Sequence, residues 1–178
     1  MDVISCIKNR RSIRSFDESR KVSHETIESI VATAAYAPSW KNTQITRYIV
    51  LEGEAKERLA QCTSIWAKNG DIMRSASAVV AVTFISGRCG YERDGSYSTP
   101  LEDRWQYYDT GLASEAFVLA AYDAGVGSVI LGLYDDNAAE VIGVPEGQKL
   151  VSLIPIGYYA EDPVAPPRKS VEDLLSYR

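Results

Sequence analysis

The stretch Ala78-Val79-Val80-Ala81-Val82-Thr83-Phe84-Ile85 constrains the fold more than any other. Eight residues with a single hydroxyl among them show no alternation of apolar and polar positions, so neither face of the strand they form can lie against water. The chain must therefore cover that strand on both sides. At 178 residues it is long enough to do so within one domain, burying roughly 70% of the surface its unfolded form exposes.

The other elements follow from spacing. Asp2 is placed to cap a short first helix with Val3, Ile4 and Ile7 on one side, which delivers Arg10 to Arg14 at its C-terminal end, where cations complement the helix dipole. Ser23 caps a second helix carrying Ile27, Ile30, Val31 and Ala34 at i, i+3, i+4 and i+7, and Pro38 stops it near Ala37. After the polar loop Ser39–Gln44, the β-branched and aromatic run Ile45–Leu51 reads as a strand. Glu54–Cys62 reads as a helix with an i, i+4 pair of Glu54 and Arg58.

Periodicity vanishes over Ser86–Gln106, and a loop of that length in a compact domain is functional or mobile. It returns in Asp109–Ala124, whose small residues suit a central helix of the core or of a dimer interface. Gly125-Val126-Gly127 ends that helix. Ser128–Leu131 and Leu150–Ile156 read as strands and Asn137–Ile142 as a short helix. Prolines extend Asp162–Lys169, and Ser170 caps a last helical turn. No linker, repeat or low-complexity tract interrupts residues 1–178, so one domain is expected.

Composition excludes several functions. A net charge of -5, from 19 Lys and Arg against 24 Asp and Glu, repels nucleic acid and anionic lipid at long range. Cys6, Cys62 and Cys89 are odd in number and lack any CxxC pair, which argues against a metal site or a disulfide framework and for a reducing, cytoplasmic setting. Neither a signal sequence nor a stretch long enough to span a bilayer is expected.

What remains is a socket for a small anion. Arg10-Arg11-Ser12-Ile13-Arg14-Ser15-Phe16 places three guanidiniums and two hydroxyls in seven residues, and guanidinium forks match phosphate oxygens two at a time. Taken alone, the cluster is equally a solvated basic patch. The single histidine, His24, excludes a His-based triad or His-rich metal centre. No phosphate-binding glycine loop occurs, and Gly125-Val126-Gly127 precedes a strand where a dinucleotide fingerprint follows one. Any nucleotide phosphate must be held by side chains. A chain with few proton-transfer residues still supports catalysis when a cofactor carries the reaction. Flavin mononucleotide (FMN) fits, with one phosphate monoester, a polyol and a flat ring whose N1/O2 edge favours a cation such as Arg14.

Four stretches in order resemble the FMN-dependent nitroreductase family: Arg10–Phe16; Ala37-Pro38-Ser39-Trp40-Lys41-Asn42-Thr43-Gln44; the helix from Asp109 to the glycine pair at Gly125 and Gly127; and Ile156-Gly157-Tyr158 with Pro167-Arg168-Lys169. The resemblance spans the chain. It implies an α+β fold with a central mixed, mainly antiparallel sheet flanked by helices, and an intertwined homodimer whose two FMN sites are each lined by both subunits. Carried over by position, Arg10, Arg11, Ser12 and Arg168, with Lys169 beside it, would hold phosphate or ribityl oxygens, and Arg14 would face the pyrimidine edge. Pro38, Ser39 and Asn42 would come from the partner, with Gln44 as a further candidate. Asn69, otherwise part of an Asn-Gly turn, would meet the ring edge, and backbone at Leu131 and Gly132 would face N5 or O4.

The chemistry implied is ping-pong: NADH or NADPH reduces the flavin, leaves, and a nitroaromatic, quinone or similar small acceptor is reduced in turn, with no dedicated catalytic side chain. A flavin carrier or sensor without turnover, and a flavin-fragmenting or dehalogenating relative, stay open, because both keep the same socket. The chain departs from the family pattern at Trp40, where a second Ser is usual, at Ile45-Thr46 in place of Pro-Trp, and at Ile72 or Met73 in place of a cation.

Overall fold

The computed structural model describes residues 1–160 and 163–178; Asp162, the first residue of the expected extended tail, lies outside them. Four strands form one sheet in the order β1-β2-β4-β3: β1 Thr46–Leu51, β2 Ala78–Ile85, β3 Gly127–Ser128 and β4 Gln148–Gly157. Each named neighbour is antiparallel, and Ser12 adds a parallel bridge to Ser128 outside β3.

The apolar run of β2 is central, and its two faces feed different cores. Val79 and Ala81 pack with Leu59, Met73, Ala138 and Leu153 beneath helices α3 (Gly53–Ala60), α4 (Ala67–Ser75) and α6 (Ala138–Ile142). Ala78, Val80 and Val82 pack with Ile27, Ile30, Phe117 and Ile154 beneath α2 (His24–Ala34) and α5 (Trp105–Asp123). Helices on both faces leave no water-facing side, so the strand needs no alternation.

The caps form as their residue types dictate. Asp2 accepts from the Ser5 amide at the start of α1 (Val3–Asn9), Ser23 from the Thr26 amide, and Ser170 and Asp173 close a capping box on α7 (Val171–Leu174).

Several elements differ from the sequence expectation. In α1 the buried residue is Cys6, whereas Val3, Ile4 and Ile7 are exposed. α4 was not legible, and it places Asn69-Gly70 inside a helix rather than at a turn. α5 begins four residues before Asp109, at Trp105. Of Ser128–Leu131 only Ser128 belongs to β3; Leu131 returns to β4 as an isolated bridge to Leu153. Among the described residues no ion pair joins Glu54 to Arg58.

Candidate functional site

The arginine stretch is held as an extra edge beside β3. The Ile13 amide donates to Ser128 O at 2.9 Å and the Asp17 amide to Tyr158 O at 2.8 Å. Ile13 and Phe16 turn into the core, and Phe16 lies directly on Gly157, where a Cβ would come within 2.9 Å of the ring. That seating leaves the polar side chains on the outside. Arg10, Arg11, Ser12, Arg14 and Arg168 line one cleft of about 390 Å³, closed by Pro163, Val164 and Pro166 of the tail. The fold thus brings a cation from each end of the chain to the same cleft. Lys169 is exposed and is not among the residues lining it.

The cations differ in how they are used. Arg11 Nη1 donates to Lys8 O and Arg10 O, both at 2.8 Å, closing the end of α1. Arg14 Nη1 reaches Ser12 O at 3.3 Å. Arg10 Nε is buried and has no hydrogen-bond partner among the described residues. A buried guanidinium N–H left unpaired costs free energy until an acceptor arrives. An orphan donor among four guanidiniums fits a phosphate, and so fits FMN.

Further along the same edge, Leu131, Gly132 and Asn69 come together. Leu131 N–H and C=O are both engaged with Leu153, at 2.8 and 2.9 Å. Gly132 has its amide unpaired among the described residues and open space above it. Asn69 is buried and its Nδ2 donates to Leu133 O at 2.9 Å, so that donor holds the loop after Gly132 rather than standing free.

Pro38, Ser39 and Gln44 lie elsewhere. They line an apolar groove of about 590 Å³ between α2, β1 and α5, while Asn42 is exposed at the tip of the same loop. This loop enters β1 at Thr46, opposite Phe84, whereas Ser12 lies level with Ala78 through Ser128 and Ile156. The two places are four strand spacings apart across the sheet (~19 Å) and six residues apart along it (~20 Å), roughly 28 Å from corner to corner. A single chain does not bring all the expected site residues together.

The loop itself is strained. Lys41, Asn42 and Gln44 have φ of 46°, 54° and 46°, and a non-glycine residue there costs on the order of 1–2 kcal/mol, less for Asn. Three contacts tie it down. The Trp40 amide donates to Asp109 Oδ2 at 2.8 Å, the Trp40 ring lies 4.7 Å from that of Trp105, and Lys41 Nζ reaches Glu92 Oε1 at 2.8 Å. Cys89 Sγ donates to the same Asp109 oxygen at 3.0 Å, and burial, reinforced by that carboxylate, pushes its thiol up to about 12.

The sequence reading gave Asp109 no role beyond marking the central helix. The signal was available: Asp109, Ala113, Phe117 and Ala121 step at i+4 along the inward stripe of α5, and a carboxylate on a core stripe demands donors.

A sequence model described as Nitroreductase family matches residues 7–68 and 61–158. A protein of Archaeoglobus fulgidus, provisionally named an NADH dehydrogenase/NAD(P)H nitroreductase, is 31% identical over 163 residues, covering 88% of this chain and 85% of that protein. The structure of a nitroreductase family protein from Streptococcus pneumoniae matches the fold with a TM-score of 0.86 at 20% identity, over 99% of this chain and 100% of that one. One from Exiguobacterium sibiricum, provisionally classed as a nitroreductase and solved in complex with FMN, gives 0.84 at 25% identity, over 100% and 98%.

Proposed function

Because the chain belongs to the nitroreductase family, we propose that it is an FMN-dependent NAD(P)H oxidoreductase that reduces small oxidised acceptors of the nitroaromatic or quinone class, working as a homodimer. The buried, unpaired Arg10 Nε in a cleft of four arginines carries the cofactor assignment. It would be paired by a phosphate oxygen, with Arg11, Ser12 and Arg168 around the same group. Arg14 would lie toward the pyrimidine edge and the Gly132 amide toward the ring. When bound, FMN supplies two-electron redox chemistry, accepting hydride from a nicotinamide and passing electrons to a second substrate. The side chains bind and orient; none is required as a dedicated acid.

The wide separation of the two halves of the site supports the dimer. It exceeds what one FMN bridges, so Pro38, Ser39, Asn42 and Gln44 of one copy would complete the cleft of the other. Exposed apolar surface is on hand for such an interface: Val3, Ile4 and Ile7 on α1, Tyr107 and Tyr108 on α5, and Tyr36 after α2 all reach the surface of the single chain. Among the described residues no helix is long and apolar enough to cross a membrane. Three free thiols suit a cytoplasmic setting.

Purification, a visible spectrum, a mass measurement and anaerobic addition of NADH and then NADPH test the proposal. A yellow dimer with two FMN per dimer, bleached by a nicotinamide and recoloured by a nitroaromatic or quinone, is expected. A colourless protein that takes up no FMN sinks the cofactor assignment. A yellow protein that neither nicotinamide bleaches sinks the enzyme assignment in favour of a carrier, and FMN held by a monomer refutes the composite site.

A further inference from the structure

The strained loop needs something to hold it, and what holds it at its centre is a carboxylate. Asp109 is 3% exposed, and one of its oxygens accepts both the Trp40 amide at 2.8 Å and the Cys89 thiol at 3.0 Å. No cation is paired with it among the described residues. A buried carboxylate without a cation depends on its hydrogen-bond donors. The Trp40 amide is the one backbone donor it fixes, and Lys41 and Asn42, two of the three loop residues at positive φ, follow immediately. Cys89 brings the loop after β2 to the same oxygen, so α5 anchors two loops at one point.

We propose that Asp109 is a positioning residue for the cofactor. Its carboxylate holds the 39–44 loop in the strained form that presents Ser39 and Asn42 to the flavin ring of the partner subunit, and this assignment rests on the FMN reading above. The restraint acts before any ligand binds. Without the Trp40 bond, the left-handed residues relax to ordinary backbone and the loop loses its shape, while the sheet and the arginine cleft, roughly 28 Å away, stay as they are.

The first arm of the test uses the wild-type protein without cofactor. Amide hydrogen exchange at Trp40 should be slow compared with the exposed tip of the loop, and trypsin should cut slowly after Lys41. A Trp40 amide that exchanges at the unprotected rate overturns the proposal whether or not FMN binds. The second arm compares Asp109→Ala with Asp109→Asn. The Asn side chain keeps an acceptor at the same reach, so it should preserve FMN affinity and the shape of the bound flavin's absorption band. The Ala variant should raise the FMN dissociation constant by about tenfold or more and speed the cut after Lys41 by a similar factor. A merely structural residue would lower the melting temperature in the Ala variant and leave the affinity of its folded fraction unchanged; that result refutes the proposal. If the wild type takes up no FMN, the FMN reading fails, while the exchange arm still decides whether Asp109 holds the loop.

Discussion

Arg10 and Arg11 are neighbours with the same side chain, and the structure assigns them opposite sensitivities. Arg11 Nη1 closes two backbone carbonyls at the end of α1, whereas Arg10 Nε is buried with nothing to bond. Substituting Arg11 by Ala removes two partly exposed hydrogen bonds, a loss of about 1 kcal/mol, which for a domain of this size lowers the melting temperature of the apoprotein by roughly 2–4 °C. The Arg10→Ala variant loses side-chain packing but also relieves an unsatisfied donor, so its apoprotein should melt within about 2 °C of the wild type. Its FMN affinity should fall much further. A hydrogen bond to a charged group contributes about 1.5–3 kcal/mol, which is about 10- to 150-fold in the dissociation constant. Fluorescence titration of the apoprotein with FMN, at low and high salt, together with melting curves of the apo variants, measures both quantities. The loss on Arg10→Ala should shrink at high salt, because screening weakens the wild-type contact. If Arg10→Ala destabilises the apoprotein as much as Arg11→Ala and changes the FMN constant by less than about twofold, the orphan donor is an ordinary surface cation and the phosphate reading fails.

Arg14→Ala should leave FMN bound while lowering its reduction potential, because a cation at the ring edge favours the reduced form; a dye-equilibration titration in which the potential does not move refutes that role. His24 Nε2 lies 2.9 Å from Glu52, and that hydrogen bond raises the imidazole pKa. The pair therefore stabilises the fold below the unfolded value of about 6.5 and is lost as pH rises through the raised folded value. Melting curves of His24→Gln should fall below the wild type at about pH 5.5 and coincide with it at about pH 8.5. Cys89, fully buried with its thiol pushed up to about 12, should resist iodoacetamide in the native protein and react only on unfolding, as mass spectrometry of the labelled peptide would show.

The parts of the fold that were legible are those where a local pattern meets no competing demand. The continuous run of β2 and the stripe of α2 report burial directly, and Asp2, Ser23 and Ser170 report caps because each side chain has one favourable use there. Misreadings arose where tertiary contacts override a local signal. Asn69-Gly70 looks like a turn, but in α4 a Cβ at Gly70 would come within 2.6 Å of Ala60 O, so the glycine serves close helix packing. Leu131 reads as part of a strand continuing from Ser128, yet it returns to β4 only as an isolated bridge to Leu153. The arginine cluster was visible at once and the family resemblance added Arg168 to it, but only the structure shows that Arg10 Nε is the buried donor of the cleft left without a partner among the described residues.

The family resemblance placed the two motifs in different subunits, and the sheet shows why one chain keeps them apart. Arg10–Phe16 and Ala37–Gln44 are close along the chain, yet they occupy opposite corners of the sheet because β1 and the Ser12 bridge take its two edges. On the proposed reading, that distance makes assembly and cofactor binding one equilibrium. A ligand that binds only the dimer stabilises it by mass action, by about 2.7 kcal/mol per site when present at 100 times its dissociation constant. The single chain carries the matching costs: exposed Val3, Ile4 and Ile7 on α1, a strained loop, and an unpaired guanidinium donor. Each is unfavourable in isolation, and a second copy with FMN between would offset all of them together. Dilution of the FMN-free protein should therefore yield monomer at a higher concentration than dilution of the loaded one, and equal dissociation of the two forms would break the link between site and assembly.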